Sequence, residues 1–432
     1  MTPTARIAAA IELLAAIGAA PARPADAVAN DYFRGRRFIG GGDRRDVSDR
    51  VWRILRSYRR LTWWLADKPT PRLLVAASLL LEGAGLADVT AVYTGSQFAP
   101  AALAPSEQAA LRRLQGRTLE HASMPDAVRL EMPDWLLPHL AARFDATELG
   151  ALLQPAALDL RVNLLKATRD AARAALTAEG LEATPTPFSA WGLRIEGRKQ
   201  VTSGPAFRAG LVEIQDEGSQ LVANLTSARP GMRVADWCAG AGGKTLALAM
   251  TMQNRGQLLA CDVSATRLDG AVRRLRRAGV HNVERHLIEP GDKWAKRRGG
   301  SFDRVLVDAP CTGTGTWRRN PDARLRLRES DLDELLPKQA AIMDQAATLV
   351  RIGGRLVYAT CSLLSEENED QVTAFLARHP GFALVPLARA WPGAPPGIAP
   401  VTPGHDAGEY LSLTPARHGT DGFFAAVLER RA

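Results

Sequence analysis

Between residues 232 and 361, five short apolar runs alternate with stretches of helical composition, and this alternation constrains the fold more than any other feature of the chain. The runs are Met232 to Cys238, Gly256 to Asp262, Val283 to Ile288, Asp303 to Asp308 and Gly354 to Cys361. Strand and helix taken in turn predict βαβ units, hence an α/β domain with an open, mostly parallel sheet covered on both faces. Sheets of that kind bind ligands in the crevice beyond the carboxyl ends of their strands. Asp236, Asp262, Asp308 and Cys361 all stand at such ends, so the chemistry of this chain is expected there.

A length of 432 residues is too long for one ordinary core. Residues 1–150 read as all helix. In the segment 46–68, Val47, Val51, Ile54, Tyr58, Leu61 and Leu65 make one apolar stripe, with Arg50, Arg53, Arg56, Arg59 and Arg60 largely off it. Those arginines read either as a solvated face or as a surface for RNA phosphates. Further helices are expected over 72–82 and 106–115, the latter capped by Ser106. Residues 151–228 read as a small α+β unit, with strands in 159–166, 191–196 and 211–214 and a helix over 168–179 ended by Gly180. The sequence Ala-Arg-Pro-Gly at 228–231 then punctuates the chain before the α/β region, 229–432.

Charge and cysteine usage narrow the class. The 55 basic residues outnumber the 46 acidic ones, for a formal net charge of +9, which favours a polyanionic partner. Cys238, Cys261, Cys311 and Cys361 are spaced too widely for a CxxC zinc or redox unit, and no disulfide framework is expected, so the chain reads as cytoplasmic. The histidines, among them His281, His286 and His379, form no metal-like cluster, and no metal is expected. The alanine-rich start resembles a signal peptide until Glu12 interrupts it, and Ile7, Ile11 and Leu14 fit an ordinary amphipathic helix. No stretch reaches the roughly 18 uncharged apolar residues of a membrane span, and no membrane partner is expected.

The loop after the first strand, Asp-Trp-Cys-Ala-Gly-Ala-Gly-Gly-Lys-Thr at 236–245, admits three nucleotide-binding readings. A P-loop requires glycine where Cys238 stands, and a dinucleotide fingerprint beginning at Gly240 requires glycine where Thr245 stands. The third is a loop passing close under a nucleoside cofactor with no pyrophosphate, as in enzymes that use S-adenosylmethionine. It needs permissive backbone at Gly240, Gly242 and Gly243 and an acid at the end of the second strand for the ribose hydroxyls, a position Asp262 fills. Cys238 and Cys261 read as packing residues.

Two further thiols stand at strand ends, Cys311 three residues after Asp308, and Cys361 in Ala-Thr-Cys-Ser. Carbon 5 of a pyrimidine is a poor nucleophile until a thiolate adds to carbon 6. The resulting enamine accepts an electrophilic methyl group, and loss of the carbon 5 proton then releases the thiolate. That chemistry needs a cysteine, a carboxylate at the N3/N4 edge of the base and a proton acceptor. The residues alone do not say which thiol is the nucleophile.

The chain resembles the Sun or RsmB-type family of RNA cytosine-5 methyltransferases. The matching elements are Asp-Ala-Pro-Cys-Thr-Gly-Thr-Gly from Asp308, Arg-Arg-Asn-Pro-Asp at 318–322, Tyr-Ala-Thr-Cys-Ser with Glu-Glu-Asn at 366–368, Gln-Asp-Glu-Gly-Ser at 215–219 and Asp-Gly-Phe-Phe at 421–424. They cover about 160–432. The resemblance implies a Rossmann-like class I methyltransferase domain over 229–432, preceded by a small α+β, RRM-like RNA-binding unit over 151–228 and a NusB-like helical RNA-binding region over 1–150.

It also implies roles. Cys361 is then the nucleophile, Cys311 assists product release, and Asp308 meets the target base and lies near the cofactor. Cys238, Ala239, Gly240, Ala241, Gly242, Gly243 and Lys244 wrap the methionine end of S-adenosylmethionine, and Ala241 stands where the family usually has proline. Glu289, with Asp292 as rival, is expected at the adenine, and Lys166, Arg318 and Arg319 at RNA. The expected activity is methylation of carbon 5 of a cytosine in RNA, ribosomal RNA first among targets, by a monomer acting on a single-stranded or bulged segment, since the base must leave its stack. The alternative is a non-catalytic RNA-binding or assembly factor that keeps a methyltransferase fold.

Overall fold

The apolar stripe of the helical region is interrupted at Ser57, which ends the helix Gly41–Arg56 and starts the helix Tyr58–Leu65. Val47, Val51, Ile54 and Leu61 are buried all the same, because both helices turn that side into one core with Leu13, Val75 and Leu111. Four of the five arginines off the stripe are held by acids: Arg50 and Arg53 both reach Glu82 (2.8 and 2.7 Å), Arg59 reaches Asp134 (3.0 Å), and Arg60 is buried against Glu131 (2.9 Å). The helices Pro71–Leu81 and Pro105–Leu114 both form. Ser106 is not the cap of the second. Pro105 supplies the first helical residue and Ala104 stands at the N-cap, its amide donating to the Glu107 carboxylate at 2.8 Å.

The computed structural model describes residues 1–66, 69–197, 199–289, 291–392, 400 and 408–432; Asp67 and Lys68, at the end of the expected stripe segment, lie outside them. One unit comprises 1–153 with 317–329, and a second comprises 154–316 with 330–432. Among the described residues no helix is long and apolar enough to cross a membrane.

The second unit begins with four short strands, β1 (Leu158–Val162), β2 (Thr184–Pro185), β3 (Gly192–Ile195) and β4 (Val212–Ile214). They pair antiparallel in the order β2-β3-β1-β4, with the helices Arg169–Ala178 and Pro205–Arg208 between them in sequence. This is the β-α-β-β-α-β arrangement of ferredoxin-like units. Thr168 caps the first helix, and Gly180, at φ +75°, lies just past its end.

The five apolar runs form β5 (Arg233–Asp236), β6 (Gln257–Asp262), β7 (Val283–Leu287), β8 (Phe302–Asp308) and β9 (Val350–Thr360). They are parallel, in the order β9-β8-β5-β6-β7. Alternate side chains enter separate cores on the two faces: Val305, Val307, Leu356 and Tyr358 on one, Leu306, Val357 and Ala359 on the other. This fits a Rossmann-like sheet. Register sets the functional edge, since Asp308 lies opposite Ala359, and Asp236 opposite Leu306 and Ala260.

Sequence periodicity did not disclose the antiparallel flank. β12 (Phe423–Arg430) runs against β9, with Phe424 opposite Thr360, and β10 (Phe382–Val385) and β11 (Leu411–Leu413) pair with it. The Asp-Gly-Phe-Phe motif at its start meets the turn after β8. Gly422 N–H donates to the Gly315 carbonyl at 2.9 Å, and a Cβ on Gly315 would stand 2.2 Å from the Gly422 oxygen. Gly315→Ala is therefore expected to lower stability by about 1–3 kcal/mol, measured by urea unfolding, because backbone rather than a flexible side chain would have to move.

Candidate active site

The loop after β5 curls back through two left-handed glycines, Gly240 (φ +54°) and Gly242 (φ +80°), and Gly242 caps the helix Gly243–Thr251. A Cβ on Gly242 would press within 3.1 Å of Ala271 Cβ, whereas the corresponding side of Gly240 is open. Asp262, at the end of β6, is buried; its Oδ2 accepts Gly240 N–H and its Oδ1 accepts Ser264 N–H, both at 2.8 Å. Ala239 N–H donates to the Cys261 carbonyl at 2.8 Å. Burial pushes the thiols of Cys238 and Cys261 far above the ordinary cysteine range, so both stay neutral. A curled loop with a glycine face open beside a carboxylate fits a nucleoside cofactor.

The loop is braced from the small α+β unit. Arg161 on β1 is buried and donates to the Gly243 carbonyl (2.9 Å) and to Gln215 Oε1. Desolvation lowers its pKa to about 10, partly opposed by Glu213. Arg274 Nη1 donates to the Ala241 carbonyl at 2.7 Å while its other end pairs with Glu213 (3.5 Å). Nothing in the composition of β1, where Asp159 and Arg161 alternate with apolar residues, announced Arg161 as part of the site.

Lys244, on the first turn of the helix after the loop, is buried and reaches Asp308 Oδ2 at 2.7 Å, 5.3 Å from the centre of the Phe423 ring. Burial works against its charge, but the Asp308 carboxylate and the nearby Cys361 sulfur hold its pKa above the usual lysine value. Asp236 lies deeper. Its Oδ2 accepts the Thr245 hydroxyl at 2.7 Å, its Oδ1 has no hydrogen-bond partner among the described residues, and burial raises its pKa to about 7.

Cys311 and Cys361 come together, Sγ to Sγ 3.5 Å, both half-buried. The hydrogen bond shared with Cys361, and then burial, push the Cys311 thiol far up. The backbone of each is fixed by a buried polar network that sequence reading did not resolve. Glu367 accepts Thr312 N–H (2.9 Å), the Thr312 hydroxyl and Gln339 Nε2 (2.9 Å); Gln339 also donates to the Pro310 carbonyl at 2.9 Å. Leu363 N–H donates to Thr314 Oγ1 at 2.8 Å, and Asn368 Nδ2 donates to the Ser362 carbonyl at 3.0 Å. The turn carrying Cys311 and the turn carrying Cys361 are thus stitched into one rigid piece.

The family described as 16S rRNA methyltransferase RsmB/F matches residues 223–429, and the ferredoxin-like domain of RsmF/B-like methyltransferases matches 132–202. A probable ribosomal RNA small subunit methyltransferase B from Synechocystis sp. is 33% identical over 79% of this chain and 78% of its own length. The chain belongs to the RsmB/F methyltransferase family. The ribosomal RNA small subunit methyltransferase B of Xanthomonas campestris is 32% identical over 85% of this chain and 84% of its own. Among solved structures, a methyltransferase homolog protein from Pyrococcus horikoshii is 28% identical, with a TM-score of 0.61 over 72% of this chain and 100% of that one. The structure of PH0851 is 26% identical, with a TM-score of 0.78 over 100% and 99%.

Not every residue singled out in this RsmB/F chain faces the crevice freely. Lys166 donates to the carbonyls of Ala209 (2.8 Å) and Arg277 (2.6 Å), tying the small unit to the end of the helix Ala265–Ala278. Arg318 and Arg319 are half-buried in the segment 317–329 of the helical unit, and both are engaged. Glu289 is exposed. Its rival Asp292 accepts from Trp294 N–H (2.7 Å) and meets His286 Nε2 (2.6 Å), while His286 stacks on Trp294 at 4.4 Å. Pro290, between the two acids, lies outside the described residues.

The raised pKa of Asp236 predicts a pH signature. The folded state binds this proton more tightly than the unfolded chain does. Its contribution to stability is complete below the ordinary value of 3.8 and is lost as pH rises through about 7. Asp236→Asn, which can still accept from Thr245, should gain stability relative to the parent between pH 4 and 7 and hold a constant advantage above pH 8. Urea unfolding across that range checks it, and a pH-independent difference would contradict the assignment.

Proposed function

We propose that the protein transfers a methyl group from S-adenosylmethionine to carbon 5 of a cytosine in small-subunit ribosomal RNA, through a covalent bond from Cys361 to carbon 6. The observation that carries this reading is the pair of thiols 3.5 Å apart beside the Lys244–Asp308 ion pair at the carboxyl edge of the sheet. Hydrolytic or phosphoryl-transfer chemistry has no use for two adjacent cysteines, whereas addition to a pyrimidine followed by release uses both.

S-adenosylmethionine, when bound, supplies an electrophilic methyl carbon. Asp262 is the residue that would hold its ribose and the glycine loop from Cys238 to Lys244 its methionine end, with Lys244 and Asp308 toward the reacting base. Cys361 adds as thiolate to carbon 6 and makes carbon 5 nucleophilic. Lys244 places a fixed positive charge where anionic character builds, and one oxygen of Asp308 remains able to accept from the N4 amino group while the other holds Lys244. After methylation a base takes the carbon 5 proton, the carbon 5–carbon 6 double bond re-forms, and the sulfur–carbon 6 bond breaks. Cys311, whose thiol is held protonated 3.5 Å from that of Cys361, then donates its S–H to the departing Cys361 sulfur, and the proton passes back to Cys311 when Cys361 next forms its thiolate.

This ordering of the thiols predicts opposite variants. Cys361→Ala should abolish both methyl incorporation and any covalent protein–RNA species, whereas Cys311→Ala should let a covalent species accumulate on denaturing gels. The reverse pattern would exchange the roles. For the cofactor, Asp262→Ala should weaken S-adenosylhomocysteine binding roughly tenfold or more by calorimetry, the loss of a charge-assisted acceptor. Unchanged affinity would remove Asp262 from the site.

A further inference from the structure

Residues 34–45, Arg-Gly-Arg-Arg-Phe-Ile-Gly-Gly-Gly-Asp-Arg-Arg, carry five arginines against one acid. At their centre is a β-turn. Ile39 N–H donates to the Arg36 carbonyl at 3.0 Å, which leaves Arg37 and Phe38 at the two central positions, the most protruding ones. Both flanks are anchored. Arg36 N–H donates to the Phe33 carbonyl at 3.2 Å, Ile39 is only 1% exposed in the helical core, and Arg44 Nε holds the Ile39 carbonyl at 2.8 Å. Phe38 is therefore fixed outward, with 77% of its surface in water.

The acids around this turn are already engaged. Asp31 pairs with Arg23 and Arg34, Asp43 with the terminal ammonium, Asp46 with Arg6, and Glu12 with Arg36. Arg37 and Arg45 are exposed and meet no carboxylate among the described residues. The apolar area is a single ring, far too small for the core of a protein–protein interface, whereas one exposed aromatic face in a segment with two exposed, uncompensated arginines suits one unstacked base and its phosphates.

We propose that this turn is a contact site for the substrate RNA, stacking a single-stranded or looped-out base on Phe38 while Arg37 and Arg45 hold flanking phosphates. The inference rests on the RNA substrate proposed above and adds a recognition point in the helical unit. It makes two separable demands: the ring contributes affinity at any salt concentration, and the arginines contribute a salt-dependent part.

The test uses the full-length protein with an unmodified small-subunit rRNA transcript, measuring filter binding over a salt series and, separately, methyl incorporation. Phe38→Ala should weaken binding about tenfold with an unchanged thermal midpoint, and Phe38→Tyr should restore it. The Arg37→Ala, Arg45→Ala double variant should reduce the slope of log Kd against log salt by about 1–2. Parent-like affinity and salt slope in these variants would overturn the proposal. So would a loss confined to assembled small-subunit particles, which would assign the turn to a ribosomal protein. Absence of methyl incorporation by the unaltered protein, with the binding losses intact, would instead count against the enzymatic reading and leave this site standing.

Discussion

The parallel pairing of β8 with β9 is the contact on which the site depends. Because Asp308 lies opposite Ala359, the turn that follows β8 and the turn that follows β9 leave the sheet side by side, and residues 50 apart in sequence bring their sulfurs to 3.5 Å. Side-by-side exit alone would not hold two thiols in register. Glu367 and Gln339 do that by taking the backbone of one turn and the side chains of the other into a single buried network. Polar groups so far from water are costly unless every donor meets an acceptor, and that demand makes the arrangement rigid. The close approach of Gly315 to Gly422 extends the same piece to β12.

The cofactor loop illustrates a different economy of support. Its curl follows from Gly240 and Gly242, but its position is set from outside the parallel sheet, by Arg161 of β1 and by Arg274, which Glu213 of β4 holds. The ferredoxin-like unit is therefore structural to the catalytic edge as well as a neighbour to it. Lys166, which looked from sequence like an RNA ligand, has two of its donors in the same brace, on the carbonyls of Ala209 and Arg277.

Much was legible before the structure. All five central strands and the helices at 71–81, 105–114 and 169–178 follow from the apolar pattern, although the cap read at Ser106 does not, and Asp262 and Asp308 were placed at strand ends by counting. What escaped has a common character. β10, β11 and β12 are antiparallel additions whose intervening helices, Leu387–Ala390 and Pro415–His418, are only one turn long and carry no apolar period, Ser57 breaks a stripe that continues on both sides, and Arg161, Gln339 and Glu367 are polar residues whose partners lie far along the chain. Exposure is equally opaque: Phe38 and Ile39 are adjacent and alike in hydropathy, yet one is 77% exposed and the other 1%.

By itself the sequence determined the fold class, a loop with three glycines of which the structure uses Gly240 and Gly242 as left-handed hinges, and the supply of thiols and carboxylates at the strand ends with one lysine after the loop, since period, backbone freedom and residue chemistry are local properties. The tertiary structure alone decided that Cys311 faces Cys361, that Lys244 meets Asp308, and which arginines are held by acids and which are free. Those outcomes depend on strand order and on which distant side chain fills each space, and no local pattern carries that information.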